Sequence, residues 1–108
     1  MEKDLTYKPL PSCVTIKHSG IDGLGLFAQE DITSGYVFGV SHISDQRFQD
    51  GYIRTPLGGF INHSDDPNAI LEPVTNNVNM KVLVAIRDIS KGEEVTTKYT
   101  LYNIQENK

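Results

Sequence analysis

Laid on itself at an offset of 57 residues, the chain repeats a short pattern. Ala28-Gln29-Glu30-Asp31-Ile32-Thr33-Ser34-Gly35 lies over Ala85-Ile86-Arg87-Asp88-Ile89-Ser90-Lys91-Gly92, with Ala, Asp, Ile and Gly identical in both copies. Each copy reads as strand, turn, strand. Asp31 or Asp88 can hydrogen-bond its own turn backbone, Ile32 or Ile89 plugs a core, and Gly35 or Gly92 relieves a tight corner. A hairpin of this size is marginal alone, so the repeat predicts two similar prongs, each covered by another element. Shared turn chemistry is the competing explanation for the matches.

The rest of the sequence agrees with a mainly β fold. No window of a dozen residues holds a convincing helical period, whereas short apolar or alternating runs bounded by Gly, Asp, Asn and Ser recur. Val14 to His18, Leu24 to Ala28, Tyr36 to Val40, Ala69 to Leu71, Lys81 to Ile86 and Glu94 to Tyr99 are the strand candidates. Residues 42–58 read as irregular with one helical turn. One domain over 13–102 is expected, with residues 1–12 as a leader and 103–108 as a tail. The 108 residues suffice for one core that buries roughly 65% of the unfolded surface.

Charge and cysteine usage narrow the function classes. A formal net charge of -4 lacks the basic footprint of a nucleic-acid binder. Surplus carboxylates more often simply keep a small protein soluble, and they also suit basic peptide partners. Cys13 is the sole cysteine, so no internal disulfide forms, and no Cys or His spacing suggests a metal site. His18, His42 and His63 would have to be gathered by the fold to make one. The start of the chain has no signal-peptide core, and no run reaches membrane-spanning length. The expectation is a cytoplasmic or host-intracellular protein, not secreted, with no membrane and no direct nucleic-acid partner.

Three blocks can carry chemistry. Gly23-Leu24-Gly25 opens a strand where missing side chains let a ligand approach the backbone. In Gly58-Gly59-Phe60-Ile61-Asn62-His63-Ser64-Asp65-Asp66-Pro67-Asn68, Phe60-Ile61 anchors a buried segment and two polar side chains follow at once. Burying an unsatisfied Asn or His costs about 1–3 kcal/mol, so the pair needs a reason. The third block, Gly92-Glu93-Glu94-Val95-Thr96-Thr97-Lys98-Tyr99, is a turn into a strand. Glu94 there suits local structure more than chemistry, and alternation turns Lys98 to the face opposite Tyr99.

In order and spacing these blocks resemble the signature of the SET-domain protein lysine methyltransferases, in a minimal stand-alone form like those of viruses and bacteria. The resemblance spans about Val14 to Leu101. It implies a SET domain of β-clip architecture, with short hairpins and a knot-like C-terminal segment, and transfer of a methyl group from S-adenosyl-L-methionine to a lysine of a protein or peptide partner. It implies cofactor contacts from Gly23, Leu24, Gly25, Asn62 and His63, and catalysis by Tyr99. Tyr52 and Tyr102 are candidate walls of the substrate channel. No metal is implied, because Asp65 stands where many members carry a zinc-binding cysteine. A homodimer would complete a channel this small a chain leaves open. The rival expectation is a catalytically weak or inactive SET-like module that binds cofactor or a basic peptide.

Overall fold

The computed structural model describes residues 10–48, 51–74 and 77–98. In chain order these hold β1 (Val14–His18), β2 (Leu24–Ala28), β3 (Val37–Ser44), β4 (Tyr52–Arg54), α1 (Pro56–Gly59), β5 (Asn62–His63), β6 (Ala69–Val74), β7 (Asn77–Ala85) and β8 (Glu94–Thr97). The strands make two four-stranded sheets, ordered β1-β2-β8-β5 and β4-β3-β7-β6. The mainly β class is therefore the observed one. All described pairings are antiparallel except β5 with β8.

The repeat is structural, and it is built differently from two hairpins. β3 follows β2 in the chain but pairs with β7, and β8 follows β7 but pairs with β2. Each copy thus sends its second strand into the sheet of the other copy. At the crossing, Ile32 and Ile89 exchange both backbone hydrogen bonds at 2.8 Å. The Gly35 amide donates to the Ala85 carbonyl and the Gly92 amide to the Ala28 carbonyl, again both at 2.8 Å. Asp31 and Asp88 do not serve their own turns, as the sequence suggests. Asp88 accepts from the Ser34 amide at 2.8 Å and Asp31 from the Lys91 amide at 2.9 Å. The cause is the exchange itself, which brings each carboxylate beside the other copy's turn.

Gly35 and Gly92 hold φ of 94° and 91°, a region open to glycine and strained for other residues. The shared apolar positions fill one core: Leu26 with Leu83, Ala28 with Ala85 and Ile32 with Ile89 are all buried. Beside Tyr36, on the crossing segment, the Cys13 side chain just ahead of β1 raises the phenol above its ordinary pKa through a hydrogen bond, burial adding to the effect.

Between residues 42 and 58 the irregular expectation gives way to structure. β3 runs on to Ser44, β4 returns beside it, and α1 supplies the anticipated helical turn. Gly39, at φ 134°, and two register shifts in β3 break the alternation that would have marked a strand this long. β6 runs past its expected end to Val74, and β7 begins before its expected start, at Asn77, and stops at Ala85. Of the expected anchor pair, Ile61 is buried and Phe60 is exposed, because the segment needs only one apolar side chain to seat β5. The segment beyond residue 98 lies outside the described residues.

Because the two turns make equivalent bonds, Asp31→Ala and Asp88→Ala should each destabilise the protein by about 1 kcal/mol. The two costs should agree within error in denaturant unfolding.

Candidate functional site

The short turn between β1 and β2 is closed by the Ser19 amide, which donates to the Gly23 carbonyl at 2.8 Å. Gly23 itself sits at φ 46°. β2 then pairs with the start of β8, Phe27 opposite Glu94. At Gly25 a side chain is excluded: an added Cβ would collide with the Glu94 carboxylate and stand 3.0 Å from Ser19 Cβ. The Glu94 carboxylate lies over this glycine and accepts from the Ser19 hydroxyl at 2.8 and 2.9 Å.

Asn62 joins the same network from β5. Its Nδ2 donates to Glu94 Oε2 at 2.9 Å and to the carbonyls of Asp22 and Leu24 at 3.2 Å each. Three oxygens around one amide nitrogen fix the orientation of that amide. Oδ1 makes no hydrogen bond among the described residues and stays available as an acceptor. Four of the five expected cofactor residues, Gly23, Leu24, Gly25 and Asn62, are thus gathered around one carboxylate. The fifth, His63, has its Nε2 3.1 Å from exposed Asp65 Oδ1.

β5 is held against β8 as a parallel pair, Asn62 beside Thr96 and His63 beside Thr97. The Ser64 amide extends the pairing to the Thr97 carbonyl at 2.9 Å. Asn68, only 2% exposed, secures the loop that follows. Its Nδ2 donates to the Glu94 carbonyl at 2.8 Å and its Oδ1 accepts from the Thr96 amide at 2.8 Å. The side chain satisfies two backbone groups of β8, which offsets the cost of burying the amide.

Glu94 and Thr97, three residues apart on a strand, address opposite faces of β8. Thr97 lines a cavity of about 160 Å³ with His42, Arg54, Gly58, Gly59, Ile61 and Leu71. Its hydroxyl is buried and has no hydrogen-bond partner among the described residues. His42 is 3% exposed and sets Nδ1 3.0 Å from Ser41 Oγ. Tyr52 is not a lining residue of this cavity; it packs edge-on against His42 with ring centroids 5.7 Å apart. Gly58 lets α1 approach β3, since a Cβ there would collide with the Ser41 carbonyl oxygen and stand 3.0 Å from His42 Cε1.

Tyr99 and Tyr102 lie outside the described residues. Lys98 is exposed. No group of three or more His, Cys, Asp or Glu among the described residues could hold a metal ion. Sequence reasoning passed over Ser19, Gly58 and Thr97 and gave Glu94 only a local role. Of these, Gly58, Glu94 and Thr97 lie inside the quoted blocks, so a signal was present, but the residues they meet are distant in sequence.

The SET domain model matches residues 36–100. The chain belongs to the SET domain family. Dictyostelium discoideum histone-lysine N-methyltransferase set1 is 35% identical over 74 residues, which are 68% of this chain and 5% of that much longer protein. A candidate histone methyltransferase of Plasmodium falciparum superposes with a TM-score of 0.62 at 24% identity, covering 80% of this chain and 91% of that one. The methyltransferase domain of human PR domain-containing protein 2 gives 0.62 at 15% identity, over 82% and 77% of the two chains. An inhibitor-bound Chaetomium thermophilum Polycomb Repressive Complex 2 gives 0.61 at 25% identity, over 80% of this chain and 15% of that chain. The fold of this SET chain is thus that of its solved relatives.

The two packed glycines should respond differently. Gly25→Ala meets the movable end of Glu94 and should cost about 1–2 kcal/mol through weakened carboxylate hydrogen bonds. Gly58→Ala meets a main-chain carbonyl that cannot step aside and should cost about 2–4 kcal/mol. In an Glu94→Ala background the Gly25→Ala penalty should shrink while the Gly58→Ala penalty persists, as read by denaturant unfolding.

Proposed function

We propose that this chain transfers a methyl group from S-adenosyl-L-methionine to a lysine side chain of a protein or peptide. The observation that carries this reading is the two-sidedness of β8. One face holds the Ser19–Glu94–Asn62 network beside Gly25, and the other lines a cavity with a buried Thr97 hydroxyl that has no partner among the described residues. Two reactants can then meet from opposite sides, and orientation can supply much of the rate.

The residues at the first face fit the cofactor. Leu24 is 43% exposed and offers an apolar wall. An added Cβ at Gly23 meets nothing within 4 Å, so its backbone is open to a ligand. Asn62 Oδ1 is an unused acceptor suited to an ammonium group, and the Glu94 carboxylate favours a cationic ligand nearby. When bound, the cofactor supplies an electrophilic methyl group on a sulfonium. Gly23, Leu24, Gly25 and Asn62 would hold it, with His63 at the end of the same short strand.

At the second face, Ile61 and Leu71 can flank the aliphatic stem of a lysine. Thr97 can hydrogen-bond its nitrogen. A lysine amine of ordinary pKa ~10.4 must lose its proton before attack, and burial in a narrow cavity favours the neutral form. Closing the cavity around the stem would also exclude water. Tyr99 lies two residues beyond Thr97 in sequence, the same-face spacing of a strand. We assign it the role of orienting the reacting nitrogen through its hydroxyl. Tyr52 would support the wall through His42. Relatives named as histone methyltransferases place histones among the substrates to try first.

Incubation with labelled cofactor and a mixture of basic protein substrates should leave label on lysine, mapped by mass spectrometry. Tyr99→Phe should lower turnover at least ~100-fold with cofactor affinity little changed. Intact cofactor binding with no label on any protein would instead favour a binding module. Thr97→Val removes a buried hydroxyl that costs about 1 kcal/mol or more while unpaired. It should leave stability unchanged or higher while raising the KM for the acceptor; an unchanged KM would remove Thr97 from the channel.

A further inference from the structure

We propose that Glu94 is a positioning residue of the cofactor cleft, holding the Gly23–Gly25 strand and the Asn62 amide in their receiving geometry through Ser19 and Asn62. This rests on the reading of the cleft given above and extends it to a residue that need not touch the cofactor. The hydrogen bonds form a continuous path. The Ile21 amide donates to Ser19 Oγ at 2.9 Å, and the Ser19 hydroxyl donates to the Glu94 carboxylate. Asn62 Nδ2 donates to the same carboxylate and to the carbonyls of Asp22 and Leu24. The start of the β1–β2 turn is therefore fastened to β8 directly, Ser19 to Glu94 across 75 residues of sequence, and its end indirectly, through Asn62, which lies 32 residues from Glu94.

The carboxylate is also the nearest of the three oxygens that hold Nδ2 in place and leave Oδ1 for the ligand. Without it only the Asp22 and Leu24 carbonyls, each at 3.2 Å, hold the amide, and its position loosens. Gly25 keeps the arrangement possible, because any side chain there would displace the carboxylate. Glu94 thus acts on cofactor affinity, while the cavity on the other face of β8 is lined without it.

The test measures cofactor dissociation constants by calorimetry, and steady-state kinetics with an unmethylated lysine peptide taken from a protein labelled in the preceding experiment, for the wild type and four variants. Charge-assisted hydrogen bonds weigh more than neutral ones, and a tenfold change in affinity corresponds to 1.4 kcal/mol. On that scale Glu94→Gln, which keeps one acceptor oxygen but no charge, should weaken S-adenosylmethionine binding about tenfold. Glu94→Ala should weaken it about thirtyfold or more. Ser19→Ala should weaken it about threefold, and combined with Glu94→Gln it should add less than its own factor, since both act on one network. In every folded variant the cofactor KM should rise while the acceptor KM and the kcat at saturating cofactor stay within about threefold. A residue serving stability alone would lower the melting temperature and leave the cofactor KM at 25 °C unmoved, which would overturn the proposal. If Glu94→Ala fails to fold, Glu94→Gln and Ser19→Ala carry the decision. Wild-type protein that binds no S-adenosylmethionine would overturn both the cleft reading and this proposal. Wild-type binding with Glu94→Gln binding equally well would overturn the proposal alone.

Discussion

The reciprocal hydrogen bonds between Ile32 and Ile89 are the joint on which the molecule turns. Each isoleucine is the point where one copy of the repeat passes into the other copy's sheet, and each is buried. A pair of small sheets, neither thick enough to bury a core alone, becomes one body because each contributes a strand to its neighbour. The flanking bonds, Gly35 to Ala85 and Gly92 to Ala28, brace the crossing on both sides. Loosening this joint would separate β8 from β2 and β3 from β7 together. The first of those pairings also sets Glu94 over Gly25.

β8 is held from three directions, and that is why a four-residue strand can carry two sites. β2 pairs along one edge, β5 along the other, and Asn68 caps its backbone from a neighbouring loop. Buried Asn68 is expensive unless both ends of its amide are satisfied, and here they are. This requirement ties the loop after Asn62-His63 to a single register on β8. The same register sets Asn62 beside Thr96 and so within reach of Glu94. Rigidity at the strand thereby becomes orientation at the site.

How far this could be seen in the sequence depends on the range of the cause. β1 and β2 were legible to the residue, because apolar and polar side chains alternate and glycines bound the turn. β4 and β5, three and two residues long, hold no period to detect; they exist because β3 and β8 offer unpaired edges. The repeat was visible, but the exchange of strands was not, since nothing local distinguishes a hairpin from a crossing with the same turn. Asn62, Gly23 and Gly25 were reached through resemblance. Glu94 was visible only as a turn residue, because its role comes from Ser19, 75 positions away. The cavity draws on β3, β4, α1, β6 and β8, an assembly no single window of sequence contains.

The two halves of the repeat also explain why the Ser19–Glu94–Asn62 network forms in one sheet and not at the equivalent place in the other. With the offset of 57, the buried pairs Leu26 with Leu83, Val95 with Phe38 and Ala28 with Ala85 remain apolar in both copies, because both face one core. Among the pairs that differ are Gly25 with Val82 and Glu94 with Val37. In the second sheet a valine fills the position where the first has only backbone, and Val37, 54% exposed, has no charge to offer a loop. In the first sheet glycine makes room for a carboxylate, and the carboxylate gathers Ser19 and Asn62. Positions constrained by the common core kept the symmetry. The hydrogen-bond network sits where one strand has glycine and its neighbour carries a charge, and neither residue would hold the network without the other.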